Sequence, residues 1–182
     1  MKIPAGLTDA NMEIYALDGQ LHFIKNGRDH LATEMDTDDL AVFRSMMDND
    51  QQITDAIAEM GILNPPDQIL QFLMCNFGSF DDRADLTSDG ISIREYWDCG
   101  KRGTCHQEGR LCKLPEGPNG RITPREIEVI KLVCQGLVDK QIADRLSISY
   151  NTVCAHRSNI EHKLNAQCKV EIAMWAKEKG II

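Results

Sequence analysis

The stretch ITPREIEVIKLVCQG at 122–136, with KQIADRL at 140–146 and SYNTVCAHRSNI at 149–160, decides the fold of the C-terminal part of this chain. Thr123 and Glu126 have the spacing of a capping box, in which hydroxyl and carboxylate each satisfy a free amide at the start of a helix. Pro124 stands at the first helical position, where a missing donor costs nothing. Ile127, Ile130, Leu132 and Val133 form an apolar stripe, and Gly136 can end the helix in a left-handed conformation. A helix over 124–135 follows. A second is predicted over 139–146, with Ile142, Ala143 and Leu146 inward and small Ala143 allowing a close crossing. Residues 147–149 form a turn, and Ser149 can cap a third helix running to Leu164. A fourth, over 169–179, carries Ile172, Ala173, Trp175 and Ala176.

The third helix has two faces. Val153, Ile160 and Leu164 form the apolar one. Asn151, Cys154, Ala155 and Ser158 recur at i, i+3, i+4 and i+7 on the other. That second face is short and polar, as a helix entering the major groove of duplex DNA requires. Residues 121–179 resemble the LuxR-type (GerE-like) four-helix DNA-binding domain. The resemblance is carried by Thr-Pro-Arg-Glu at 123–126, Gln-Gly-Leu at 135–137, Lys-Gln-Ile-Ala at 140–143 and the run 151–160. Lys163-Leu164 and Val-Glu-Ile-Ala at 170–173 complete it. It implies a transcription regulator that binds half-sites as a dimer. By position it implies that Cys154, Ala155 and Ser158 face bases. Lys140, Thr152, His156, Arg157 and Lys163 would approach phosphates or brace the helix. Three positions depart from the family pattern. Val138 replaces a capping Ser, Asn or Thr, Cys154 replaces a common Lys, and Cys168 replaces a polar cap.

Charge divides the chain in the same place. Residues 1–119 carry a net −11 and residues 120–182 a net +3. A basic module joined to an acidic one suits phosphate neutralisation, and the small excess predicts salt-sensitive binding that depends on dimerisation. The segment LPEGPNG at 114–120 has two Pro and two Gly in seven residues and reads as a linker. No run approaches the length of a membrane span. The start, Met-Lys-Ile-Pro-Ala, lacks the apolar run of a secretory signal. A cytoplasmic protein is expected, and its seven cysteines are not expected to form structural disulfides.

In the acidic part, Asp18-Gly19 and Asn26-Gly27 are hairpin-turn dipeptides that predict a small antiparallel meander over 12–33. Thr37 can then cap a helix bearing Leu40, Phe43 and Met47. Asp50 can cap another with Ile53, Ile57 and Met60 inside and Gly61 at its end. Pro65-Pro66 opens a third, burying Ile69, Leu70, Phe72 and Leu73. The methionines 46, 47, 60 and 74 read as core packing ahead of a pliable ligand surface.

Cys99, Cys105 and Cys112 fall within 14 residues, interleaved with Gly100, Gly103 and Gly109 and with Lys101, Arg102, Arg110 and Lys113. The glycines let backbone wrap around sulfur, and the cations favour thiolate. With Cys75, these thiols are a candidate zinc site, and an iron–sulfur cluster on the same ligands is the alternative. His106 can replace one thiol around zinc. Free thiols or a redox disulfide are the remaining reading. No Walker loop, Gly-x-Ser-x-Gly or His-Glu-x-x-His motif is present, so no enzyme is expected.

The expected architecture is an α+β N-terminal domain (1–113: a small β-meander, helices and a Cys-rich loop), a linker (114–120) and an all-α four-helix LuxR-type helix-turn-helix domain (121–182). The expected function is sequence-specific DNA binding by a homodimer with a metal-stabilised or metal-sensing N-terminal domain. The alternatives are a module that contacts RNA polymerase, with DNA secondary, and an iron–sulfur redox sensor.

Overall fold

A computed structural model describes residues 3–182, so the first two residues of the stretch Met-Lys-Ile-Pro-Ala lie outside it. The chain divides into two compact units. One comprises Met1–Cys99 with Arg110–Lys113, the other Gly100–Gly109 with Leu114–Ile182.

The first unit opens with three antiparallel strands, β1 (Met12–Leu17), β2 (Gln20–Lys25) and β3 (Arg28–Leu31), in that spatial order. Both hairpin turns have two central residues at positive φ: Asp18 and Gly19 at 51° and 79°, Asn26 and Gly27 at 53° and 75°. That geometry matches the right-handed strand twist, which is why these dipeptides set the register of the sheet. Met12 and Ile14 on β1, with Leu21 and Phe23 on β2, pack into the core. Ile24 is also buried, which breaks the simple alternation along β2.

Three helices cover the sheet's core face: α1 (Thr37–Asp48), α2 (Gln51–Glu59) and α3 (Pro65–Asn76). The cap of α1 is Asp36 rather than Thr37. Its carboxylate accepts from the Asp39 amide at 2.9 Å. An anion suits the positive end of a helix better than a hydroxyl, and Lys25 of β2 pairs with both Asp36 and Asp39. Thr37 therefore becomes the first helical residue. Met60, expected inside, is exposed, because α2 ends before its side chain can turn to the core. Phe43, Phe72 and Phe77 are fully buried and meet edge to face, with Phe77 centroids 5.3 Å and 6.0 Å from the other two. Each such ring contributes about 1.5–3 kcal/mol by transfer from water alone.

The segment after α3 has little regular structure and is held by carboxylates. Glu13 of β1 accepts from the Asp81 amide at 2.7 Å. Asp85 accepts from the Ile14 amide at 2.7 Å. Glu95 accepts from the amides of Gly78 and Ser79 at 3.1 and 2.9 Å. Glu13 is 1% exposed and its second oxygen has no hydrogen-bond partner. Burial, then the mutual repulsion of these acids with Asp81 and Asp82, pushes Glu13 up to about 8 and Asp85 up to about 9. Burial also pushes Glu95 up to about 7, with the Ser79 and Gly78 amides and, less strongly, Arg83 opposing.

The second unit contains a short hairpin, β4 (Glu116–Gly117) and β5 (Gly120–Arg121), and helices α4 (Pro124–Cys134), α5 (Asp139–Leu146), α6 (Tyr150–Leu164) and α7 (Lys169–Glu178). Helix α4 packs against α6 and α7, and α5 packs on α6. Ile122, Val129, Ile130, Ile142, Val153, Ile160, Ile172 and Ala176 are fully buried. The segment read as a linker thus folds back on itself across the Pro118–Asn119 turn, and Ile122 donates its amide to Pro115 at 2.9 Å. Two-residue strands suffice for this, so the prolines and glycines that forbid a longer strand do not prevent it.

The buried acids fix the sign of a pH effect. Their pKa values in the fold lie above the ordinary carboxylate range, so the neutral forms stabilise the first unit. That stability is complete near pH 4 and is lost as pH rises through 7 to 9. The thermal midpoint of this unit should be higher at pH 5 than at pH 8.5 by roughly 5 °C or more, which about 1 kcal/mol produces in a unit of this size. Asp85→Asn, which can still accept from Ile14, should flatten the dependence. A midpoint that rises over this interval would show that these carboxylates ionise freely in the fold.

Candidate nucleic-acid interface

The start of α4 is fixed by the predicted capping box. Thr123 donates its amide to Glu126 at 2.8 Å, and its hydroxyl accepts from the Glu126 amide at 3.3 Å. Glu126 is 3% exposed. Its carboxylate also receives the Lys163 ammonium of α6, at 2.7 and 2.9 Å. Burial by itself would raise this carboxyl, but Lys163 and Thr123 together hold it below its usual range. One buried anion therefore caps α4 and ties α6 to it.

Helices α5 and α6 meet through a left-handed turn at Ser147 (φ 53°). Ser149 caps α6, accepting from the Thr152 amide at 3.1 Å, and its hydroxyl lies 2.8 Å from that of Thr152. Val138, at the start of α5, gives no side-chain cap, and Gln141 compensates by accepting the Val138 amide at 3.0 Å. Cys168 likewise gives α7 no cap, and Glu171 instead accepts the Gln167 amide at 2.6 Å.

Val153, Ile160 and Leu164 are the buried side of α6. Asn151, Thr152, Ala155, Ser158, Asn159 and His162 are exposed on its outer side. Asn151, Ala155, Ser158 and His162 follow one line at steps of four, three and four, so short side chains leave a flat helical surface. Asn159 and His162 extend the predicted face, and the signal that could have found them is this continued spacing. Cys154 is half-buried and points its thiol toward the first turn of α5, 3.9 Å from Asp139.

The cations separate into two groups. Arg157 binds Asp139 at 2.6 Å and Glu161 at 3.4 Å. Lys169 reaches Asp139 at 3.4 Å. With Lys163 on Glu126, these side chains act as braces between helices. Asp139, which sequence reasoning passed over, is the shared anchor, about nine-tenths buried. Lys140 and Arg145 of α5 stand exposed, and His156 is half-buried. The structure thus brings Lys140, Asn151, Thr152, Ala155 and Ser158 to open surface and turns Arg157 and Lys163 inward.

The candidate metal ligands are arranged differently. Cys75, near the end of α3, is half-buried and 3.1 Å from the Gln71 amide nitrogen. Cys99 and Cys105 are half-buried, and Cys112 is buried. Cys75, Cys99 and Cys112 belong to the first unit and Cys105 to the second. Among the described residues no three His, Cys, Asp or Glu side chains gather as an ion requires.

Residues 121–176 match the family described as bacterial regulatory proteins, luxR family. They are a LuxR-type helix-turn-helix domain. Three curated relatives align here. The nitrate/nitrite response regulator protein NarL of Escherichia coli (strain K12) is 39% identical over 61 residues, 34% of this chain and 28% of the relative. The oxygen regulatory protein NreC of Staphylococcus carnosus (strain TM300) is 36% identical over 61 residues, with the same coverage. The regulatory protein SdiA of Escherichia coli (strain K12) is 37% identical over 65 residues, 36% of this chain and 27% of the relative. The chain therefore spans less than a third of the length of these relatives. Among the described residues no helix is long and apolar enough to cross a membrane.

The brace at Glu126 carries a direct test. Lys163→Ala leaves a buried carboxylate without its cation, which costs about 2 kcal/mol once the partial exposure of Lys163 is allowed for. The second unit's thermal midpoint should fall at pH 7. Glu126 has a depressed pKa, so its contribution exists above pH ~4.5 and disappears as pH falls below that. Wild type and variant should converge near pH 3. Equal midpoints at pH 7 would show that the pair is solvent-screened.

Proposed function

We propose that this protein is a sequence-specific DNA-binding transcription regulator. The observation that carries this reading is the open face of α6, where Asn151, Ala155 and Ser158 stand on a helix capped and braced from behind within a LuxR-type domain. Short polar and small side chains let the helix backbone approach base edges in the major groove. Thr152 and Lys140 flank that face and serve phosphates, and His156 borders it. Arg157 and Lys163 serve by holding the helix. The protein acts as a homodimer on paired half-sites, with Val170 (66% exposed) and Met174 (69% exposed) of α7 as the apolar strip available for pairing. Its working place is the cytoplasm.

The test is enrichment of duplexes from a random pool by the full chain, followed by titration at several salt concentrations. Lys140→Ala should weaken binding to all duplexes and reduce the salt slope by about one, whereas Lys163→Ala should leave the slope unchanged. Ala155→Asp, which places a carboxylate against the bases, should abolish preference for the enriched sequence. No enrichment by the wild-type chain would end the reading.

The metal-stabilised N-terminal domain is a separate part of this proposal. It is supported by the close spacing of three thiols among glycines and cations and by the presence of Cys75 upstream. Zinc is the first candidate and an iron–sulfur cluster the second. Elemental analysis of protein purified without air, with its visible spectrum, distinguishes them. If the four thiols share one ion, Cys75→Ser, Cys99→Ser, Cys105→Ser and Cys112→Ser should each lose it in equal stoichiometry, while Cys134→Ser and Cys168→Ser retain it. Metal-free wild type, or full retention in all four variants, would remove this part alone.

A further inference from the structure

The C-terminal end of α6 is where the hairpin β4–β5 makes its contacts. The last carbonyls of a helix lack partners within it and must find donors elsewhere. The chain beyond α6 supplies two, since Ala166 donates to Glu161 at 2.9 Å and Asn165 to His162 at 3.2 Å. The hairpin supplies two more donors, one to a further carbonyl and one to a carbonyl the chain already serves. The Asn119 amide donates to the Lys163 carbonyl at 2.9 Å, and the Asn119 side-chain nitrogen donates to the His162 carbonyl at 2.8 Å. Contact is close enough that a Cβ built on Gly117 would lie 2.4 Å from the Lys163 carbonyl oxygen. The base of the hairpin is closed by the Ile122–Pro115 bond and by Arg121 on Glu116 at 3.3 Å, and fully buried Ile122 anchors it in the second unit.

We infer that the hairpin Glu116–Arg121 positions the DNA-contact helix, and that Asn119 and Gly117 are its positioning residues. Lys163 is held from two directions, its carbonyl by Asn119 and its ammonium by Glu126. Arg157 on Asp139 holds the middle of α6. These points together define the axis of the helix. Asn151 lies twelve residues before Lys163. That is about 18 Å at 1.5 Å rise per residue, so a tilt of ~10° about Lys163 displaces Asn151 by roughly 3 Å. Such a displacement exceeds the tolerance of a hydrogen bond to a base edge. Asn119 thus controls recognition without touching DNA. This inference rests on the DNA-binding reading above and adds a control on its specificity.

The experiment uses the full chain with Asn119→Ala and Gly117→Ala. The first removes one donor. The second forces the hairpin off the carbonyl. Affinities for the enriched duplex and an unrelated duplex are measured at one salt concentration, and residual dipolar couplings give the angle between α6 and α4. In each variant α6 should rotate against α4. The preference for the enriched duplex should fall about fivefold, the effect of one lost hydrogen bond, while affinity for the unrelated duplex stays constant. Unchanged couplings in both variants overturn the inference. So does a rotation that leaves the preference within twofold of wild type, or equal loss of affinity for both duplexes. A wild-type chain that enriches no duplex defeats the DNA-binding reading instead, and the couplings still decide whether the hairpin sets the helix angle.

Discussion

The carboxylate of Glu126 is the point on which the second unit turns. It is buried, and its charge is retained only because Thr123 and Lys163 surround it. Without them, desolvation would push the carboxyl toward its neutral form. A single anion therefore starts α4 and fixes α6 against it. The exposed face of α6 can remain short and polar because its orientation is secured from behind. Asp139 repeats the device at the other helix contact, with Arg157 and Lys169 as its cations. Buried charges of this kind contribute little net stability when paired, but mispairing them is costly. They consequently select one helix arrangement over its neighbours.

This division of cations changes how the basic character of the unit is read. Its net excess is only +3 over residues 120–182, and three of its cations are engaged with buried anions. The positive charge left at the surface comes from residues such as Lys140 and Arg145. On the proposed DNA-binding reading, so weak an electrostatic attraction places more of the discrimination on the angle of α6 than a strongly basic domain would.

The first unit uses carboxylates in the opposite way. Glu13, Asp85 and Glu95 hold an irregular segment to β1 and to itself by accepting backbone amides. Burial outweighs the amides they accept from and favours their protonated forms. The same residue type is thus ionised in one unit and held toward neutrality in the other. The surroundings decide, through burial and the nearest opposite charge.

Much of this protein was legible in its sequence because it rests on contacts between residues close along the chain. Asp18-Gly19 and Asn26-Gly27 specify their turns through φ alone. The capping box at Thr123, the serine cap of α6 and Pro65 at the start of α3 act within one helical turn. The buried and exposed sides of α6 follow from its spacing. What the tertiary structure decided involves partners far apart in sequence. The choice of Asp36 over Thr37 as a cap depended on Lys25, on a strand. Lys163 and Arg157 carry the charge a phosphate contact needs, and only the fold shows that buried acids claim them. Glu13 and Asp85 lie 72 residues apart, and nothing local marks either as buried. Asn119 reads as a turn residue until the fold brings it to the end of α6. Local geometry is set by covalent constraint and neighbouring hydrogen bonds. Burial and pairing are set by which surfaces meet, and that requires the whole chain.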